Sequence, residues 1–179
     1  MYLRKLKRDD AEGMLAWMHD ITVVEKLQAN FMDKTIEDCY AFIEHSQSEE
    51  GIHLAIANEE DQYIGTVSLK HISGGSAEFA IVICKDAMGK GYSAQAMKEM
   101  IYRGFHNYGL ATIYWCVAPD NLRAIKFYDK NHFLRVSHEK IRCETLFYAP
   151  DQIESFVWYQ ILREDQGLLG CEREGDYIG

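Results

Sequence analysis

The stretch from Ala77 to Tyr108 constrains the fold more than any other part of the chain. Ala77-Glu78-Phe79-Ala80-Ile81-Val82-Ile83-Cys84 is apolar at every position but one, the composition of an interior strand covered on both faces. Lys85 to Ser93 follows, carrying Gly89 and Gly91, after which Ala94, Met97, Ile101, Gly104, Phe105 and Tyr108 recur at helical spacing. A strand therefore feeds a glycine loop into a helix over about Ser93 to Tyr108. Backbone N–H groups in a first helical turn have no internal partner, and with the helix dipole they make an anion site that glycines let a ligand approach. A pyrophosphate suits such a site; glycines that merely end the strand are the alternative. The dinucleotide pattern G-x-G-x-x-G and the Walker lysine pattern are both absent.

Around this unit the periodicity changes twice. Tyr2 to Leu6 alternates as a half-buried strand, and Asp9 with Glu12 predicts a capped helix through Met14, Leu15, Trp17 and Met18. A short helical patch over Ile21 to Leu27 and a helix over Ile36 to Gln47, capped by Thr35 and Asp38, come next. His53 to Ala57 and Tyr63 to Ile72 are β-rich runs, which with Ala77 to Cys84 make an antiparallel meander. Downstream the spacing predicts a strand at Thr112 to Val117, a helix at Leu122 to Lys130, and late strands near Phe133 to His138 and Ser155 to Leu162. The order predicts an α/β fold with a mixed sheet, as one domain over residues 1–163. The acidic, glycine-containing stretch 164–179 reads as a tail.

Composition excludes several functions. The chain has 179 residues, enough for one domain with a sizeable core, and no run of about 18 uncharged apolar residues. Its start lacks the apolar stretch of a secretory signal, so the cytoplasm is the expected compartment and a membrane is not an expected partner. Five scattered cysteines without a C-x-x-C pair read as reduced thiols, and the seven histidines show neither H-x-H nor H-E-x-x-H, so no metal is expected. A net charge of −9 with no basic patch argues against nucleic acid and suits encounter with a cationic amine.

The loop Met88-Gly89-Lys90-Gly91-Tyr92-Ser93 resembles the acetyl-CoA loop Q/R-x-x-G-x-G/A of the GNAT superfamily of N-acetyltransferases, with Met88 and Ser93 off pattern. Val117 to Phe133, with Asn121, Ala124-Ile125 and Tyr128-Asp129-Lys130, is similar to that family's V-x-x-x-N-x-x-A-I-x-x-Y-E-K-x-G-F, with His132 in place of the glycine. The RimJ/RimL-like branch is the nearest likeness. The resemblance implies a mostly antiparallel twisted sheet flanked by helices, with central strands that splay apart. It also implies acetyl-CoA as cosubstrate. The backbone of Ile81, Val82 and Ile83 would hold the pantetheine arm, the loop from Met88 to Ser93 the pyrophosphate, and Asn121 the cofactor. Tyr128 would protonate the departing thiolate.

Read without the family, Tyr128 is an aromatic at helical spacing, which ordinarily packs. The glutamate that some relatives place on the following strand is here Cys116. Glu78 is the substitute: burial in an apolar strand favours holding a proton, which suits a general base. A strand-end glutamate paired with a lysine is the alternative, as is a water chain, and His53 and His71 are further candidates. Arg123, Lys126 and Lys130 share one helix face, toward a 3′-phosphate or toward solvent. Trp17, Phe31, Tyr148 and Trp158 line an acceptor pocket or only pack. The expected reaction is acetyl transfer to a small-molecule amine, such as an amino-sugar nucleotide, polyamine or amino acid. Acetylation of protein N-termini and a non-catalytic acyl-CoA-binding module are the alternatives. A homodimer is compatible with the family.

Overall fold

The computed structural model describes residues 1–144 and 146–169. The strands are β1 (Tyr2–Lys5), β2 (Gly51–Ala57), β3 (Tyr63–Ser73), β4 (Ser76–Ile83), β5 (Thr112–Val117), β6 (Arg135–Val136) and β7 (Val157–Leu162). They form one sheet in the order β1-β2-β3-β4-β5-β7-β6, antiparallel throughout except between β4 and β5. The helices are α1 (Asp10–Met18), α2 (Ile21–Val24), α3 (Ile36–Glu44), α4 (Tyr92–His106), α5 (Leu122–Lys130) and α6 (Pro150–Ser155). The mixed, mostly antiparallel α/β sheet expected from the sequence is the observed architecture.

Helices cover both faces, as the continuous apolar run of β4 requires. On one face Met97, Met100, Ile101 and Phe105 of α4 pack on Val67, Leu69 and Ile113. Gly104 permits that approach: a Cβ there would stand 2.6 Å from Ile113 Cδ1. On the other face Met14, Trp17 and Met18 of α1 join Val23, Val24 and Cys39 over Ala55. Tyr114 and Trp158 form a smaller cluster with Ile141, joined by Tyr148 and Phe156.

Thr35 and Asp38 make the reciprocal cap at α3, although that helix stops at Glu44. At α1 the expected cap fails. Asp9 makes no side-chain cap, and the neighbouring Asp10 turns back instead, accepting from Lys7 N at 2.8 Å and from both Arg4 Nη atoms at 2.7 and 2.9 Å. A buried ion pair thus ties β1 to α1, and it outcompetes the local cap because it satisfies two charges at once. The late strands are shorter than expected: β6 keeps two residues, and Pro150 at N1 starts α6 just ahead of β7. Arg163–Leu169 forms 3₁₀ turns after β7 and so takes in the start of the stretch 164–179 read as a tail, of which residues 170–179 lie outside the described residues.

Candidate active site

The sheet opens at its centre. β4 and β5 pair only through Ser76–Thr112, Ala77–Ile113 and Glu78–Tyr114, whereas β4 stays paired to β3 as far as Ile83. From Phe79 onward the β5-facing edge of β4 has no ladder partner. Backbone groups left this way must find another partner, and an extended ligand laid along the edge would supply one. Gly65 helps to hold the bend, because a Cβ there would stand 2.3 Å from Val82 O. A cavity of about 300 Å³ fills the splay.

The glycine loop ends the cavity. A 3₁₀ turn over Lys85–Ala87 leads to Met88, then Gly89 at φ +76° and Gly91 at φ +83°, where the left-handed Gly91 is the N-cap of α4. A Cβ at either glycine would meet nothing within 4 Å, so these positions are glycine for their backbone angles rather than for lack of room. The first turn of α4 carries no acidic residue and no side-chain cap, which leaves its N–H groups available to an anion. Arg123 of α5 lies over this loop, with Nη1 3.2 Å from Met88 Sδ.

Ile81, Val82, Ile83, Met88, Gly89, Ser93, Asn121, Tyr128 and Glu78 all border the cavity; Lys90, Gly91 and Tyr92 do not, and Lys90 is exposed. The Asn121 side chain caps α5, accepting from Ala124 N at 3.2 Å, while its Nδ2 faces Lys26 O at 3.5 Å. Lys126 and Lys130 point to solvent and do not border the cavity.

The two walls differ in chemistry. On the α4 side Tyr128 is 7% exposed and its ring packs among Trp115, Phe127, Phe133 and Tyr159. Burial pushes its phenol well above the usual value, so it stays protonated across the physiological range. On the opposite wall Glu78 is 3% exposed. Its Oε1 is held by Lys70 Nζ at 3.0 Å and accepts from Tyr148 Oη at 2.5 Å. Its Oε2 is buried with no hydrogen-bond partner among the described residues, and His71 Nε2 lies 3.7 Å from it. Beside it, burial pushes the Cys116 thiol up to about 12, which keeps it neutral and unsuited to nucleophilic work.

The lysine partner that the sequence allowed for Glu78 is present, and it is Lys70, a residue the sequence reading did not name. The hairpin turns on Gly74-Gly75, and the β3–β4 register sets Lys70 directly opposite Glu78. Tyr148 reaches Glu78 from a segment without regular structure, which no periodicity reports. Of the other acceptor-pocket candidates, Trp17 and Phe31 pack edge to face at 5.1 Å, and Trp17 donates to Tyr63 Oη at 2.9 Å. Trp158 is buried, its Nε1 donating to Ile153 O at 2.8 Å. His53 bonds Ser68 Oγ through Nδ1 at 2.8 Å and packs on Phe42, and it does not border the cavity.

Residues 1–134 match the family model described as an acetyltransferase (GNAT) domain. Among curated proteins the chain is similar to acetyltransferase PseH of Campylobacter jejuni, 23% identical over 76% of this chain and 84% of that one. It is also similar to spermidine N(1)-acetyltransferase of Escherichia coli, 28% identical over 73% and 71%. Among solved structures, the Vibrio cholerae spermidine N-acetyltransferase in complex with CoA and spermine superposes with a TM-score of 0.75, at 21% identity, covering 92% of this chain and 96% of that one.

Proposed function

The chain belongs to the GNAT acetyltransferase family, and from that premise we propose that it transfers the acetyl group of acetyl-CoA to the primary amine of a small molecule. The observation that carries this reading is the splay beyond Glu78–Tyr114, which opens between a protonated phenol and a buried carboxylate at the mouth of a glycine loop. Bound acetyl-CoA supplies an activated thioester carbon that a neutral amine attacks, releasing the CoA thiol. The residues present fit that cosubstrate.

The free edge at Ile81, Val82 and Ile83 takes the amide-bearing pantetheine arm as an added strand would. The loop from Met88 to Ser93, Lys90, Gly91 and Tyr92 included, takes the pyrophosphate on backbone N–H groups, and Arg123 adds positive charge there. Asn121 keeps Nδ2 for the cofactor while Oδ1 caps α5. Tyr128 delivers its hydroxyl proton to the leaving sulfur, and Glu78 receives the proton that the amine sheds.

For the acceptor, an amino-sugar nucleotide ranks ahead of a polyamine. The acid that borders the cavity, Glu78, is already paired with Lys70, so a polycation finds no spare carboxylate in that lining. Two similar proteins are named for spermidine, so spermidine belongs in any panel. Among the described residues no helix is long and apolar enough to cross a membrane, and we place the chain in the cytoplasm. Self-association, as a dimer or larger, is supported by the related Vibrio cholerae enzyme, described as dodecameric.

Calorimetry with acetyl-CoA, followed by thiol release across amino-sugar nucleotides, polyamines, amino acids and peptide N-termini, tests the reading. Micromolar binding and turnover of at least one amine are expected; absence of acetyl-CoA binding would sink it. Tyr128→Phe should lose roughly tenfold or more in kcat with little change in cofactor affinity. Unchanged turnover would remove Tyr128 from the mechanism.

A further inference from the structure

Glu78 is clamped on one side only. Lys70 and Tyr148 both engage Oε1. The remaining oxygen, Oε2, is buried and unpartnered among the described residues, an arrangement that is costly and calls for an explanation.

His71 stands next to that oxygen. Its Nε2 lies 3.7 Å from Oε2, beyond hydrogen-bond length but closable by a small tilt of either group. Its ring is stacked on Phe147, with centroids 3.9 Å apart and planes at 15°, so its orientation is defined. Its side chain keeps 35% of its surface in water. Its backbone is left-handed at φ +53°, one of three described non-glycine residues with positive φ. That conformation is unfavourable for a side chain with a Cβ, and such strain persists where the surroundings impose it. His71 is thus a fixed imidazole with one end at a buried carboxylate and its body partly in solvent.

Resting on the acetyl-transfer reading above, we propose that His71 is the proton exit of the site: the proton shed by the acceptor amine passes to the Glu78 carboxylate, then from its buried Oε2 to His71 Nε2, and leaves to water from the imidazole. The steps balance. The amine loses one N–H bond as the Glu78 carboxylate gains an O–H; that bond breaks as the imidazole becomes imidazolium, which then returns one proton to solvent. Each group is restored for the next turn. Burial lowers the imidazole's proton affinity, with Lys70 acting the same way and Glu78 and Glu50 opposing it. At neutral pH the ring is therefore free to accept. The groups that surround the pair are Lys70 and His53 on the meander, Tyr114 and Cys116 on β5, Tyr148 beyond, and Glu50 near His71. Tyr114, Tyr148 and Cys116 are all pushed upward by burial and stay neutral.

The test uses the full chain and two variants. His71→Asn keeps a residue that tolerates positive φ. In weak buffer near neutrality it should lose roughly tenfold to a hundredfold in kcat, with KM for acetyl-CoA unchanged, and added imidazole should restore most of the loss. A residue that only packs on Phe147 would not be rescued by a diffusible base. In parallel, the His71 ring resonance is titrated by NMR in the wild type and in Glu78→Gln. Loss of the adjacent negative charge should move its midpoint to lower pH. Unchanged turnover in His71→Asn, a loss that imidazole does not restore, or a His71 midpoint unmoved by Glu78→Gln would each overturn the relay. Failure of the wild type to bind acetyl-CoA would instead strike the acetyl-transfer reading, and the titration then decides the Glu78–His71 coupling by itself.

Discussion

His53 shows how one buried side chain writes a pH dependence into the whole fold. Burial pushes its imidazole down to about 4, with Lys70 and His71 acting in the same direction, while Ser68 satisfies Nδ1. A ring that titrates near 6.5 when unfolded and near 4 when folded binds more protons unfolded across that interval. Its stabilising effect is complete above about pH 6.5 and is lost as pH falls toward 4, by no more than about 3 kcal/mol. Thermal melts should decline through that window, and His53→Gln should flatten the decline even though it lowers stability at pH 7; an equally steep decline in the variant would assign the pH dependence to other groups. At this scale the sequence was legible in kind and illegible in partnership. Glu78 stood out because a lone charge in an apolar strand must be paired or used, but that its partners are Lys70 and Tyr148 depends on hairpin register and on a segment without periodicity. Asp9 failed as a cap because Arg4, on the neighbouring β1, decided which aspartate turned inward.

Two glycines divide the work of the central elements between angle and space. Gly91 needs its left-handed backbone at the N-cap of α4 and has open surroundings, whereas the difficulty at Gly65 is Val82 O, 2.3 Å from where a Cβ would sit. Gly91→Ala should cost about 1–2 kcal/mol by denaturant unfolding and weaken acetyl-CoA binding, because the loop N–H groups turn away. Gly65→Ala should cost about 1–3 kcal/mol by forcing β4 aside at Val82 and Ile83, which also disturbs the free edge. If either variant bound acetyl-CoA as tightly as wild type in calorimetry, that element would be irrelevant to the cofactor. Elements with strong patterns were read nearly to the residue: β5 and α5 coincide with the expected spans because β5 is an almost continuous apolar run and α5 keeps a 3.6-residue pattern. The region after Phe133 was not, since its short strand, 3₁₀ turn and six-residue helix are each too brief to show a period.

At the scale of the molecule the splay is also the thinnest seam between interior strands of the sheet, only the edge strand β6 being joined by fewer pairs. Six residue pairs join β5 to β7 and seven join β2 to β3, but only three join β4 to β5. Part of what links the halves across the open end is side-chain contact: Lys26 to Asp120 at 2.7 Å, Gln28 to the carbonyl of Cys116 at 3.4 Å, Arg123 to Met88. A ligand lying in the cavity touches β4 on one wall and β5 and α5 on the other, so its binding free energy adds to the folding free energy of the seam. With acetyl-CoA at about a hundred times its Kd, the native state gains about 2.7 kcal/mol, which for a domain of this size raises Tm by roughly 5–10 °C. Adenosine 3′,5′-bisphosphate at the same concentration, which lacks the pantetheine arm, should give a clearly smaller rise because it leaves the free edge of β4 unpaired and so binds more weakly. Equal shifts with the two ligands in differential scanning calorimetry would mean that the strand edge contributes nothing, and that the splay is a consequence of packing rather than the cofactor's seat.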